Sequence, residues 1–114
     1  MSRHDHAQVV VEIAGESYRM EPTLAALRKI EERFGSLIEC HQALREMRFK
    51  ARDLAVIVGA GSGADRKQLD DIEEQVFTEG MMNVLGPCVE FALGLLNPSG
   101  RPETDDPEPD EGKG

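Results

Sequence analysis

The stretch QVVVEIAGESYRMEPTLAALRKIEERFG, residues 8–35, decides how this chain of 114 residues folds. Its first half contains two short runs, residues 9–13 and 17–20, in which apolar and polar side chains alternate, and this period of two predicts β-strands. Gly15 and Glu16 lie between the runs, and glycine readily adopts the positive φ that tight turns need. The sequence therefore predicts an N-terminal β-hairpin. One face of it must pack against helices, because a lone hairpin is marginally stable in water.

The second half of the same stretch predicts an amphipathic helix. Thr23 suits the N-cap position, and Gly35 suits the position just beyond the C-terminal end. The charged residues between them fall on the side that faces water, and the apolar residues fall on the other side. The predicted core-facing residues of this helix are Leu24, Leu27, Ile30 and Phe34.

The pattern beyond residue 35 stays helical. Ser36 and Glu39 fit a capping box that opens a second helix, whose apolar stripe is Leu37, Cys40, Leu44 and Met47. A third helix is predicted over about residues 50–58 and a fourth over about residues 66–78. The apolar stretch MMNVLGPCVEFALGLL predicts a last helix that either kinks at Pro87 or begins near it. We therefore expect an α+β fold, mostly α, with an N-terminal hairpin followed by four to five helices.

The charge of the chain is unevenly distributed. Thirteen Lys and Arg against 22 Asp and Glu give a formal net charge of −9. Residues 98–114 contain six acids, two bases and four of the six prolines, so this segment carries −4 and leaves −5 for residues 1–97. A segment of that composition cannot bury enough apolar surface to fold. We predict a flexible N-terminus over residues 1–7, one domain over residues 8–97 and a disordered acidic tail over residues 98–114.

Composition excludes several classes of function. A strongly acidic chain repels the phosphate backbone of nucleic acids, and no apolar run approaches the roughly 20 residues that cross a bilayer. The leader MSRHDHAQ lacks the apolar core of a signal peptide. Cys40 and Cys88 have no metal-ligand spacing, so we expect reduced, buried thiols. The sequence indicates a cytoplasmic protein with neither nucleic-acid nor membrane partners.

The glycine-rich string AVIVGAGSGA, residues 55–64, matches the dinucleotide-binding fingerprint at Gly59, Gly61 and Ala64. Three observations favour a simpler interpretation. The helical spacing of the preceding residues continues into the string, Asp65 would repel a phosphate, and the chain is too short for the multi-stranded parallel sheet of that fold. We expect a helix that ends before Gly59 and then a flexible loop. A nucleotide-binding enzyme fragment is the remote alternative.

Two further residue groups could hold a metal or act as a nucleophile. With Met1 removed, the amine of Ser2 together with His4 could bind Cu(II) or Ni(II) in a square plane, but a polar leader does so by accident as readily as by function. Cys40 and His41 are neighbours in the sequence, yet adjacent helical residues point about 100° apart. We therefore interpret Cys40 as a structural thiol.

The acidic residues of the fourth helix could be mistaken for catalytic carboxylates or metal ligands. They lie on the solvated side of that helix, and a catalytic acid needs a pocket that shifts its pKa. These residues are Asp70, Asp71, Glu73 and Glu74. We predict no enzymatic activity, no cofactor and no metal site.

The last helix is the strongest candidate for a binding surface. Its stripe of Leu85, Val89, Ala92, Leu93 and Leu96 is of the kind that usually faces a core. The helix also carries apolar residues on its other sides, and Glu90 is its only charge. Complete burial of such a helix is hard in a small protein, and methionine pairs suit adaptable surfaces. Core and partner groove both remain open, and the candidate partner-binding residues are Met81, Met82, Leu85, Val89, Phe91 and Leu95.

Four motifs carry a resemblance to a known family. The predicted hairpin precedes LAAL at residues 24–27 and IEERFG at residues 30–35, and ARDL at residues 51–54 leads to IVGAG at residues 57–61. In this order they resemble the small tail protein of gene transfer agents and related siphophage-like elements, a family catalogued either as a tail tube protein or as a tail assembly chaperone. The resemblance covers about residues 9–97.

This resemblance implies a non-enzymatic role in building a phage-type tail in the cytoplasm of a bacterial host. Such chaperones coat the long helical tape measure protein, help to recruit tail tube subunits and leave before the tail is complete. The implied partners are the tape measure protein, the tail tube protein and a second copy of the chain. An acidic protein with spare apolar surface could keep a tape measure protein soluble. The alternative is a tail tube component that stays in the particle.

Overall fold

The computed structural model describes residues 8–98. The predicted flexible N-terminus and disordered acidic tail lie outside this range, apart from Pro98. So does His4, for which copper binding was considered and not predicted. Within it, no helix is long and apolar enough to cross a membrane.

The chain begins with an antiparallel hairpin of two strands, β1 (Val9–Ile13) and β2 (Glu16–Met20), in which Ile13 pairs with Glu16. The two turn residues, Ala14 and Gly15, have φ of 49° and 87°. Positive φ at both positions gives the turn a twist that matches the strands. The hairpin is therefore confirmed. Its turn residues are Ala14 and Gly15, one position earlier than the predicted Gly15 and Glu16.

Five helices follow the hairpin, which confirms the α+β class. They are α1 (Leu24–Phe34), α2 (Leu37–Arg45), α3 (Ala51–Ser62), α4 (Arg66–Glu79) and α5 (Met81–Leu96). The starts of α1 and α2 follow from side-chain caps. Thr23 Oγ1 accepts from Ala26 N at 3.0 Å, and Ser36 Oγ accepts from Glu39 N at 3.0 Å. Each such bond satisfies one of the backbone donors that the first turn of a helix leaves unpaired.

Helix α3 occupies the centre of the fold, where it packs against α1, α4, α5 and β2. The alternate residues of the hairpin that point inward meet the buried faces of the helices in one apolar cluster. The largest fully buried side chains are Phe91, Ile13, Met20, Ile30, Leu44, Leu54, Ile57 and Ile72.

Two core predictions for the early helices are wrong at single positions. Met47 is exposed because α2 ends at Arg45 and Met47 itself has a φ of 60°, outside any helix. Leu24 is exposed because the buried side of α1 is centred on Ala26 and Ile30. Leu24 is the first residue of its helix and Met47 lies just beyond the end of α2, where the direction of the chain rather than the helical period sets the environment of a side chain.

The predicted glycine-rich loop is also wrong. Helix α3 continues through Gly59 and Gly61 and ends at Ser62, and Gly63, with a φ of 78°, is its C-cap. The helix tolerates these glycines because other elements approach its backbone closely: a Cβ on Gly59 would lie 2.4 Å from Leu69 Cδ2. The dinucleotide fingerprint needs glycines in a turn between a strand and a helix, so the nucleotide-binding alternative has no structural basis within the described residues.

Candidate partner-binding surface

Helix α5 has two apolar faces. The inner face is buried in the core and consists of Val84, Cys88, Phe91, Ala92 and Leu95. A second set of apolar residues lies about 120° away around the helix, given about 100° per residue. We call this second set the outer stripe, and it consists of Met82, Leu85, Val89, Leu93 and Leu96.

The outer stripe is accessible to solvent along the whole helix. Met82 is 63% exposed, Leu93 is 46% exposed and Leu96 is 51% exposed. Leu85 and Val89 between them are half-buried and pack against the edge of the core. The exposed members of the stripe lie along one face of the helix, and contiguous apolar surface of this kind is a feature of protein contact sites.

The structure divides the six residues that the sequence singled out. Met82 is exposed, and Met81, Leu85 and Val89 are half-buried at the surface. Phe91 is 0% exposed and Leu95 is buried, so neither can touch a partner in this conformation. The expectation that they are exposed is wrong. Helix α5 turns the face that carries Phe91 and Leu95 toward α2, α3 and β1, and it turns the face that carries Leu85 and Val89 toward the surface.

The partner-binding residues chosen from the sequence do not include Leu93 and Leu96, which belong to the outer stripe. Both residues share a helical face with Leu85 and Val89, and the sequence leaves that face open between core and partner groove. Two apolar faces of equal spacing are indistinguishable by period alone. Glu90 and Asn83 lie on the third side of the helix and identify that side as polar. They do not show which of the two apolar faces packs in the core.

Another exposed apolar residue, Phe77, lies shortly before α5 in the sequence. Gly80, with a φ of 107°, separates α5 from α4, and Asn83 Nδ2 donates to Glu79 O at 3.0 Å across this junction. Phe77, in the last turn of α4, is 74% exposed and lies five residues before Met82. Phe77 is thus a further apolar side chain available near the N-terminal end of α5.

The cysteines have the properties of structural thiols. Cys40 and Cys88 are both buried and form no disulfide, as expected. Burial, with a smaller contribution from Asp53, raises the pKa of Cys40 from 9.0 to about 12. Burial likewise raises the pKa of Cys88. An activated nucleophilic cysteine has a lowered pKa, and the neighbouring His41 leaves its Nδ1 without a hydrogen-bond partner instead of contacting the thiol.

The acidic residues of α4 take part in ion pairs with the preceding helix. Arg52 Nη1 of α3 donates to Asp70 Oδ1 at 2.8 Å and to Glu73 Oε1 at 3.0 Å. Asp70 and Asp71 are exposed, which agrees with a solvated face. Within residues 8–98, no group of three or more histidine, cysteine or acidic side chains is arranged to hold a metal ion.

The described part of the chain is thus a small α+β protein whose largest unusual feature is a second apolar face on its last helix, a surface suited to protein–protein contact. The chain matches the family model described as phage tail tube protein, GTA-gp10, over residues 6–96, and it belongs to this family of gene transfer agent and phage tail proteins. Searches of curated proteins and of solved structures found no match.

The family assignment makes the chain a phage-tail protein of a structural family. This confirms the family that the four sequence motifs indicated. The family description fits a component of the tail tube as well as it fits an assembly factor.

Proposed function

We propose that this protein is a tail assembly chaperone that covers the tape measure protein through the outer stripe of α5. The observation that carries the proposal is the exposure of apolar side chains along one face of a helix that is already anchored in the core by its other face. A surface that is both apolar and rigidly held suits a partner that must be shielded from water.

The spacing of the outer stripe favours a helical partner. Its residues follow one another at intervals of three, four, four and three, from Met82 to Leu96. This spacing is typical of the seam along which two helices pack, because residues three and four apart form one line on a helix surface. The stripe is about 20 Å long at 1.5 Å per residue. One copy of the chain would therefore cover about four turns of a partner helix.

Charge supports the same role. The chain carries −9, while α5 contributes only Glu90 to that total. The outer stripe itself contains no charged residue, so a complex formed through it would bury no carboxylate of α5. Net charge of this size keeps assemblies soluble, which is what a bare apolar rod would need before a tail closes around it.

The second candidate function is a tail tube component that stays in the particle. The family description fits it as well as it fits the chaperone. A ring of identical subunits joined head to tail needs two different complementary surfaces on each subunit. Exposed Leu24 on α1 and Ile38 on α2 are the apolar residues from which a second surface could be built.

Particle composition separates the two functions. We expect mass spectrometry of purified particles to find this chain absent or present in traces, because a chaperone leaves before the tail is complete. A chain present in numbers comparable to those of the other tube subunits would establish the structural role and overturn the chaperone proposal.

Co-expression tests the proposed partner. The full chain is produced with the tape measure protein from the same tail gene cluster, and the soluble fraction is compared with that from the tape measure protein alone. We expect the chain to increase the soluble tape measure protein and to co-purify with it. Persistent precipitation in the presence of the folded chain would contradict the proposal.

A further inference from the structure

The outer edge of β2 carries backbone groups with no strand beside them. Ile13 and Glu16 flank the two-residue turn and exchange backbone hydrogen bonds, as does every second pair beyond them. The residues in between on β2, Ser17 and Arg19, therefore direct their N–H and C=O groups away from β1. Within residues 8–98 these groups form no hydrogen bond. The edge is thus a template to which another strand can add.

A bond at the end of this edge supports the direction of its backbone groups. Glu21 N donates to Gly61 O at 3.0 Å, so the end of α3 occupies the edge just beyond β2. Residues two apart along a strand point the same way. Arg19 and Ser17 therefore continue the edge that Glu21 begins, and they extend it toward the turn.

A groove of about 490 Å³ lies along the same edge. Four consecutive residues of β2, 16–19, line one side of it. Consecutive side chains point to opposite faces of a strand, so a groove that meets all four lies at the edge of the strand. Its other side is one face of α4, and the residues of that face are Gln68, Asp71, Ile72 and Gln75. We call this groove the edge groove.

Several polar side chains in the edge groove have hydrogen-bonding capacity to spare. Ser62 Oγ, at the end of α3, is buried and has no hydrogen-bond partner. Tyr18 Oη donates to Gln75 Oε1 at 2.5 Å, and Gln68 Oε1 accepts from Asp65 N at 2.8 Å. Both glutamine side chains therefore retain an NH₂ group that can donate to a ligand. A buried polar group without a partner is uncommon, and the backbone of a bound segment could supply one for Ser62.

The charge of the edge groove is negative. Glu16 and Asp71 line it together with one cation, Arg19, and none of the three forms an ion pair within residues 8–98. Burial raises the pKa of Tyr18, and Glu16 and Asp71 add to this effect, so both carboxylates act on the middle of the groove. A ligand that presents a lysine or an arginine would complement them.

We propose that the edge groove binds an extended segment of another protein, one that carries a lysine or an arginine, as a third strand beside β2. Ser17 and Arg19 would bond the backbone of the segment whatever its sequence, and the groove would select its side chains. A second copy of this chain fits less well. Its own free edge, on β1, would add the carboxylate of Glu12 to a groove that already has two. The proposal does not depend on the role of α5.

Amide hydrogen exchange of the full chain tests the added strand directly. The probe is a peptide selected on the immobilised chain from a phage-displayed library of random peptides. In the free chain we expect rapid exchange at Ser17 and Arg19 and slower exchange at Tyr18 and Met20, whose N–H groups bond to β1. Saturating peptide should slow exchange at Ser17 and Arg19 by about tenfold or more. Failure to select any peptide, or a bound peptide that leaves both rates unchanged, would overturn the proposal.

Two proline variants provide a matched pair. Ser17→Pro removes an outward N–H from β2, and Glu12→Pro removes the outward N–H that lies directly opposite on β1. Proline is tolerated at such positions because the bonds between the strands are kept. Ser17→Pro should weaken binding of the peptide by about tenfold or more, and Glu12→Pro should leave it unchanged. Circular dichroism checks the fold of both, and undiminished binding by folded Ser17→Pro would contradict the proposal.

Methylation of the peptide backbone gives the same information without a change in the chain. Each N–H of the peptide is methylated in turn, and the affinity of each methylated peptide is measured. A peptide bound as a strand bonds β2 through every second residue, so losses of about tenfold should recur with a period of two. Losses without this period would overturn the proposal.

Charge variants on α4 test the chemistry of the bound segment. The selected peptides should be enriched in lysine or arginine relative to the library. Asp71→Lys should then weaken binding by about threefold or more, because it places a cation in the groove. Glu74→Lys is the matched control, since Glu74 is exposed on the same helix and does not line the groove. Equal effects of the two variants would contradict the proposed complementarity.

The free chain reveals other occupants of the edge. Slow exchange at Ser17 and Arg19 at low chain concentration would place another part of the same chain there. Protection that develops only as the chain concentration rises would place a second copy there. Either result would overturn binding of another protein at this edge.

Discussion

Gly61 of α3 lies directly against Met20 of β2: a Cβ on Gly61 would be 2.6 Å from the Cβ of Met20 and 2.9 Å from its Cα. The same junction holds a backbone hydrogen bond of 3.0 Å from Glu21 N to Gly61 O. The glycine-rich sequence that resembles a nucleotide-binding fingerprint thus serves packing. It lets the hairpin approach the central helix closely enough to cover the core.

This contact predicts different effects for two glycine substitutions. Gly61→Ala should reduce the free energy of unfolding by about 1–3 kcal/mol, since the neighbouring backbone of Met20 cannot move aside freely. Gly86→Ala in α5 should change it by less than about 1 kcal/mol, because a Cβ there meets nothing within 4 Å except its chain neighbours, and the helix preference of alanine is offset by the Pro87 that follows. Chemical denaturation measures both. Equal tolerance of the two substitutions would show that α3 and β2 are not in this contact.

The carboxylate of Asp53 holds two elements together. Its Oδ2 accepts from Lys50 N at 2.7 Å at the start of α3, and its Oδ1 is paired with Arg33 of α1. Asp53→Ala should cost about 1–2 kcal/mol in unfolding free energy through loss of the cap and the ion pair. Asp70→Ala is the matched control, and it should cost less than about 0.5 kcal/mol because Asp70 is exposed and Arg52 retains Glu73. A smaller effect at Asp53 than at Asp70 would refute this account.

The turn of the hairpin predicts a stabilising substitution. Ala14 has a φ of 49°, a conformation that a residue with a Cβ adopts at a cost, whereas asparagine tolerates it. Ala14→Asn creates an Asn-Gly pair, the preferred sequence for a two-residue turn with positive φ at both positions. It should keep the backbone hydrogen bond from residue 14 to Glu79 Oε1 and raise the Tm by a few degrees. A fall in Tm would mean that the turn has a different conformation.

The buried thiols predict slow labelling and a loss of stability at alkaline pH. Burial raises the pKa of Cys40 to about 12 and raises that of Cys88. A thiol-specific reagent at pH 8 should therefore label the native chain much more slowly than the denatured chain. Rapid labelling under native conditions would contradict burial of these residues.

The sign of the pH effect follows from the raised pKa. Above about pH 9 the unfolded chain releases thiol protons that the folded chain retains, so the unfolded state gains stability. The contribution of Cys40 is fully present below the unfolded pKa and is lost as the pH rises from there toward about 12, by up to about 1.4 kcal/mol per pH unit. Cys40→Ala should show a shallower decline of unfolding free energy between pH 9 and 10 than the native chain. Identical slopes would contradict the raised pKa.

Local signals predicted much of this fold, because caps and turns are decided by neighbouring residues. Thr23, Ser36 and Gly35 each lie where the sequence placed them, since a side-chain oxygen or a glycine acts on backbone groups within one helical turn. The hairpin was predictable for the same reason, as alternation and a glycine specify it within a dozen residues.

Long-range packing decided what the sequence could not. Gly59 and Gly61 each weaken a helix by about 1 kcal/mol relative to alanine, and only the approach of Leu69 and Met20 explains why these positions lack a side chain. The inward face of α5 was equally hidden: Phe91 and Leu93 are both apolar, and contact with the rest of the core selects Phe91. The helix that carries the candidate surface was thus predictable from the sequence. Which of its two apolar faces is exposed depended on the three-dimensional structure.

The central claim is that the outer stripe of α5 binds the tape measure protein, and affinity capture of that protein by charge variants tests it most directly. The full chain should capture the tape measure protein. A variant with both Met82→Glu and Leu93→Glu should capture at least about tenfold less, because two charges would be buried in the contact. Leu24→Glu is the matched control on α1, equally exposed and outside the stripe, and it should capture as much as the native chain. Undiminished capture by the folded double variant, or a loss of capture with Leu24→Glu alone, would contradict the claim.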